Sequence, residues 1–134
     1  MKATNSPIQT TISPWLSFQN GAQAADFYKV AFNAVETYRM ETPDGGLIVK
    51  LSVNGAEFWI SGSASEDEAL NPTSFNNDAI QMVLTVNNLD GLFAQALEAG
   101  ASEVFPISED HGWRLGRLVD PFGLHWEIGY PLSQ

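Results

Sequence analysis

A chain of 134 residues suits one compact domain, or two small halves sharing one core, and implies no second globular unit. The absence of cysteine excludes disulfides, thiolate metal sites and a cysteine nucleophile. Sixteen acidic residues against six basic ones give a formal charge of −10, which repels phosphate backbones and anionic bilayers and argues against nucleic acid or a membrane surface as partner.

Solubility is the simpler account of this acidity and attraction of a cationic ligand the sharper one; charge alone does not choose between them. The opening residues MKATNSPIQT are polar, and nowhere do eighteen apolar residues follow one another, so a cytoplasmic protein is expected.

Residues 9–18 alternate, with Ile12, Leu16 and Phe18 on one face and Ser13, Trp15 and Ser17 on the other, a strand whose Pro14 argues for an edge or an irregular start. Ala22 to Phe32 has helical spacing, capped by Asn20 and ended by a left-handed Asn33. Strands follow over Val35 to Glu41 and Leu47 to Val53, separated by the turn signal Thr42-Pro43-Asp44-Gly45-Gly46. Asn54-Gly55 is a strong hairpin signal, and Glu57 to Ser61 is the next strand, with Phe58 and Ile60 facing away from Trp59.

Residues 62–78 have the composition of a surface loop. The pattern then restarts: an alternating strand over Ile80 to Val86, a helix over Leu89 to Ala99 capped by Asn87 or Asn88 and stopped by Gly100, and a strand over Ser102 to Ile107. Two further strands, Leu115 to Val119 and Leu124 to Ile128, flank Asp120-Pro121-Phe122-Gly123, whose residues suit a type I turn. In the last strand Leu124, Trp126 and Ile128 share one face, and His125 and Glu127 the other. The order βαβββ therefore occurs twice, at an offset of about 68 residues. The expected organisation is one domain with modules over 8–61 and 79–130 and a linker over 62–78.

Several stretches in this order resemble the vicinal oxygen chelate superfamily, which includes glyoxalase I, extradiol dioxygenases, fosfomycin resistance and bleomycin resistance proteins. They are Ala25-Asp26-Phe27-Tyr28 with Ala31-Phe32, Asn54-Gly55, Val86-Asn87-Asn88-Leu89 with Ala99-Gly100-Ala101, and Asp120-Pro121-Phe122-Gly123 with Trp126-Glu127-Ile128. The nearest branch is the one called PhnB-like. The resemblance implies an α+β fold of two βαβββ modules with curved mixed sheets around a cavity, often completed by a homodimer. It also places the superfamily's metal ligands at Ser13, Trp59, Gln81 and Glu127. This departs from the superfamily's His/Gln, Glu, His, Glu set: only Glu127 is an ordinary ligand for a divalent ion, Gln81 offers a neutral amide oxygen, and Ser13 and Trp59 are not credible ligands.

The faces opposite the helix-packing ones collect aromatic and polar residues together, which is how small-molecule sites are lined. Expected ligand contacts are Trp15, Lys50, Trp59, Gln81, Trp113 and His125, with Glu127 as the central, catalytic or ligand-holding carboxylate. Lys50 is expected beside Glu127, supplying the charge that a metal supplies in relatives; an ordinary exposed lysine is the other reading. His111, in a polar turn, is expected to be solvated. No phosphate-cradling glycine loop, Ser-His-Asp set or carboxylate pair stands out. Two functions follow. The first is a binding protein that sequesters an organic molecule, a cationic aromatic one among the candidates, without a metal cofactor. The second is a metal-dependent lyase, isomerase or dioxygenase in which Gln81, His125 and Glu127 hold the ion.

Overall fold

The computed structural model of the protein describes residues 7–64 and 80–133. The first module comprises β1 (Trp15–Asn20), α1 (Gly21–Phe32), β2 (Val35–Glu41), β3 (Gly46–Val53) and β4 (Ala56–Ser63). The second comprises β5 (Met82–Thr85), α2 (Leu89–Ala99), β6 (Ser102–Asp110), β7 (Trp113–Val119) and β8 (His125–Pro131). Each module forms a four-stranded mixed sheet, ordered β1-β4-β3-β2 and β5-β8-β7-β6, in which the first strand runs parallel to the last and the other pairs are antiparallel. The two βαβββ modules are thus realised as equivalent α+β units.

Local sequence explains most of the element boundaries. The Asn20 side chain accepts from the Gln23 N–H at 2.8 Å, Asn33 ends α1 in the left-handed conformation, and Asn88 caps α2. Asn54 and Gly55 both take positive φ, as the two-residue turn between β3 and β4 requires. Four expectations shift. β1 begins after Pro14, whose carbonyl accepts from the Trp59 N–H at 2.9 Å, so Ile12 is 98% exposed and not part of the buried face. β5 spans only Met82 to Thr85, where its pairing with β8 runs, which leaves Gln81 just ahead of the strand. β6 continues to Asp110 through Pro106, which an edge strand tolerates because its outer N–H groups have no sheet partner. Of the expected 62–78 connection only residues 62–64 are described, and Gly62 and Ser63 belong to β4.

Each helix packs on its own sheet, and the two helices touch. Gln95 of α2 donates to the Val30 carbonyl at 2.8 Å and to Asn33 at 3.0 Å, satisfying acceptors at the end of α1. The space between the modules is filled by rings: Tyr28 and Phe32 of α1 meet Trp126 of β8, which also meets Phe58 of β4.

Asp120 holds this arrangement together. It is 4% exposed, and its carboxylate accepts from Tyr28 Oη at 2.6 Å, Trp126 Nε1 at 2.9 Å and the backbone N–H groups of Phe122 and Leu124 at 3.0 Å. Burial pushes the Asp120 carboxyl up, against the downward pull of these four donors. Burial likewise pushes the Tyr28 phenol well above its usual range, with the neighbouring Asp120 adding to the effect.

Where β1 turns into α1, the backbone passes close to β4. A Cβ added at Gly62 would stand 2.5 Å from both Gly21 N and Phe18 O. Gly62 also has a φ of 157°, at the edge of the region that favours glycine. Gly62→Ala is therefore expected to destabilise the fold by about 3 kcal/mol through overpacking against backbone. Urea unfolding checks this; a midpoint equal to the parent's would show that the chain moves aside at no cost.

Candidate functional site

The face of each sheet turned away from its helix carries the side chains expected to bind ligand. On the first sheet, strand register aligns Trp15, Trp59, Lys50 and Tyr38 in one row across β1, β4, β3 and β2. Trp15 and Trp59 stack with ring centres 5.7 Å apart and planes 20° off parallel, and Tyr38 meets Trp59 edge-on at 5.7 Å. The Trp15 indole N–H donates to Ser61 Oγ at 2.9 Å, which fixes the ring while leaving Trp15 51% exposed. A stack of one exposed and one half-buried indole is unusual on a sheet face that serves only to meet water.

Lys50 lies 5.1 Å from the centre of the Trp59 ring, and its Nζ pairs with Glu57 at 3.1 Å. The expected pairing of Lys50 with Glu127 does not form. Glu127 belongs to the other sheet, whereas Glu57 is two residues from Trp59 on the same strand and face, diagonally across from Lys50. The nearer carboxylate takes the ammonium.

On the second sheet the corresponding row is Val83, Glu127, Arg117 and Phe105, across β5, β8, β7 and β6. Glu127 borders a cavity of about 290 Å³ with Val83, Asp110, His111, Trp113, Leu115 and Gly129. Two carboxylates, an indole and apolar walls make this cavity suited to a cationic or aromatic group. Trp113 also borders a larger groove of about 1150 Å³ between the modules, which no charged side chain lines. His111 sits in the turn after β6 with positive φ and an exposed side chain, as expected for a solvated position. His125 lies on β8 two residues before Glu127 and is partly buried.

The expected residues therefore fall into two sets. Trp15, Trp59 and Lys50 come together on the first sheet, and Trp113, His125 and Glu127 share the second. Gln81 stands exposed at the head of β5. Among the described residues no hydrogen bond, ion pair or ring contact joins the two sets. Arg117 was missed by sequence reading. The repeat alone, at about 68 residues, does not single it out; strand register equates Arg117 with Lys50, since they pair with Glu127 and Trp59 at matching places in the two sheets.

The positions that the resemblance assigns to a metal do not form a donor set. Ser13 precedes β1, Trp59 is engaged in stacking, Gln81 is outside its strand, and only Glu127 offers a charged oxygen. Among the described residues no group of three or more His, Asp or Glu side chains is placed to hold an ion. No helix among the described residues is long and apolar enough to cross a membrane.

No family model matches the chain. An uncharacterised protein of Mycobacterium bovis is 37% identical over 133 residues, an alignment covering 95% of this chain and 87% of that protein. Among solved structures, a glyoxalase/bleomycin resistance protein/dioxygenase family enzyme from Burkholderia phytofirmans superposes with a TM-score of 0.65 at 17% identity, covering 88% of this chain and 95% of that one. The PhnB protein from Bacillus cereus gives 0.63 at 19% identity, covering 90% and 99%. At these identities the likeness is one of fold.

Proposed function

We propose that this chain, which shares its fold with glyoxalase/bleomycin resistance protein/dioxygenase proteins, is a member of the vicinal oxygen chelate superfamily and a small-molecule-binding protein that sequesters a flat, cationic organic ligand without a metal cofactor. Function in this superfamily must be argued from the site, because one fold supports unrelated chemistries. The observation that carries the reading is the row of Trp15, Trp59, Lys50 and Tyr38, an exposed aromatic platform whose rings are already ordered by stacking and by the bond to Ser61. A preordered platform binds a flat ring with little loss of side-chain freedom. The acidic cavity at Glu127, Asp110 and Trp113 supplies the preference for positive charge.

The two sets are joined in this reading by a homodimer, in which the first sheet of one copy faces the second sheet of its partner. Both helix-free faces carry exposed apolar side chains that such pairing covers, among them Trp15, Val83 and Phe105.

Titration with proflavine, a flat aromatic monocation, tests the proposal. Tryptophan fluorescence should quench saturably and to the same extent with and without chelator. Absence of saturable quenching overturns the reading. Binding or turnover that is lost with chelator and restored by one divalent metal would instead favour the lyase, isomerase or dioxygenase alternative built on Gln81, His125 and Glu127.

Glu127→Gln gives a sharper check. Glu127 has no ion-pair partner among the described residues, so its charge can be removed without breaking a contact of the fold. The variant is expected to weaken proflavine binding about tenfold while leaving Tm unchanged. A large drop in Tm would assign Glu127 a structural role.

A further inference from the structure

We propose that Arg117 and His125 form an oxyanion subsite that receives a carboxylate of the bound ligand. The inference rests on the reading of the helix-free faces as the ligand site and adds to it a group of opposite charge.

The internal repeat supplies the argument. In the first module Lys50 of β3 and Glu57 of β4 lie diagonally across an antiparallel pair and form an ion pair at 3.1 Å. The equivalent positions in the second module, at an offset of about 68 residues, are Arg117 of β7 and His125 of β8, and strand register puts them on the same diagonal. The cation is conserved between the modules, but the carboxylate that neutralises it has become an imidazole. Arg117 Nε and His125 Nδ1 are, among the described residues, the two buried side-chain polar atoms without a hydrogen-bond partner. Leaving such atoms unpaired costs more than a typical hydrogen bond contributes, so two of them on one face of adjacent strands mark a place where something outside the chain bonds.

Glu127 lies directly opposite Arg117 yet forms no ion pair with it, whereas Arg39 and Arg114 are paired with acidic residues. Arg117 is thus the arginine whose charge the described residues leave unmatched. The Arg117 guanidinium, together with His125 in the tautomer that carries its proton on Nδ1, offers a group of donors suited to a carboxylate. The Glu57 carboxylate shows that this geometry accepts one in the sister module. A ligand that fills both the Glu127 cavity and this subsite carries a positive and a negative group.

Side-chain NMR of the full-length, 15N-labelled protein tests the assignment. Phenylacetate supplies the carboxylate, phenethylamine the ammonium and inorganic phosphate a competing oxyanion. Phenylacetate is expected to shift the Arg117 Nε–Hε resonance saturably while those of Arg39 and Arg114 stay in place. Phenethylamine should leave Arg117 unmoved and shift the Trp113 indole. In His125→Glu, which restores the arrangement of the first module, the phenylacetate response should weaken at least about tenfold and Tm should rise. In Arg117→Gln, equilibrium dialysis of phenylacetate should show no saturable binding, and the amide spectrum reports whether the fold is intact. The proposal is overturned if phenylacetate leaves Arg117 unmoved, if His125→Glu responds like the parent, or if phosphate binds as well as phenylacetate. Should phenethylamine shift Trp113 while Arg117 fails to respond to phenylacetate, the subsite falls and the wider binding reading stands. If neither probe shifts any resonance, both fall.

Discussion

Asp120→Ala is expected to lower Tm by roughly 10–20 °C, corresponding to a loss of about 3–5 kcal/mol. The carboxylate accepts four hydrogen bonds while 4% exposed, and two of its donors are the Tyr28 hydroxyl and the Trp126 indole N–H. Removing the acceptor strands both ring donors in an apolar interior, where each unpaired group costs about 1–3 kcal/mol. It also unties the β7–β8 turn, whose Phe122 and Leu124 N–H groups lose their partner. Asp120→Asn should recover little, because its amide turns two donors toward a pocket that already supplies donors. Tyr28→Phe removes one of the four bonds and should cost only about 1–2 kcal/mol. Thermal unfolding of the three variants checks this order. If Asp120→Ala melted within a few degrees of the parent, the buried carboxylate would not be what joins the first module's helix to the second module's turn.

Trp59→Ala is expected to raise the Kd for proflavine about thirtyfold, the loss of about 2 kcal/mol of ring and charge contact. The same change should reduce stability by only about 1–2 kcal/mol, because Trp59 lies on the helix-free face while its neighbours Phe58 and Ile60 hold the core side of β4. Trp126→Phe makes the opposite comparison. That ring is buried among Tyr28, Phe32 and Phe58 and donates to Asp120, so its loss should lower Tm and leave Kd nearly unchanged. Equilibrium dialysis gives Kd without relying on the tryptophan signal. Equal Kd values for the parent and Trp59→Ala would remove the aromatic platform from the binding site.

The structure also corrects how charge is arranged on these faces. Sequence reading put Lys50 against Glu127, which would have made one compensated pair at the centre of a cavity. Instead Lys50 is neutralised within its own sheet by Glu57, and the second sheet is left with Glu127 and Arg117, neither of which enters an ion pair among the described residues. Charge available to a ligand is therefore concentrated on the second sheet, and aromatic surface on the first. A ligand that uses both needs the two faces brought together, which is why the binding reading includes a homodimer.

The elements and the faces they present can be read from the chain alone. Asn20, Asn33, Asn54-Gly55 and Gly100 act on backbone conformation within a few residues, so caps and turns can be read from neighbours alone. Period-two alternation put Trp126 and Ile128 inside and His125 and Glu127 on the opposite face, because successive side chains of any strand point to opposite sides. Which residues meet depends on the assembled fold. Asp120 reads in the chain as a turn residue, and nothing local marks it as the partner of Tyr28, 92 positions away. Lys50 found Glu57, and Arg117 and His125 kept unpaired atoms, because side-chain partners are chosen by strand register and by the packing of one module on the other. Short-range preferences fix the conformation of a segment; competition among partners distant in sequence is settled only when the sheets have formed.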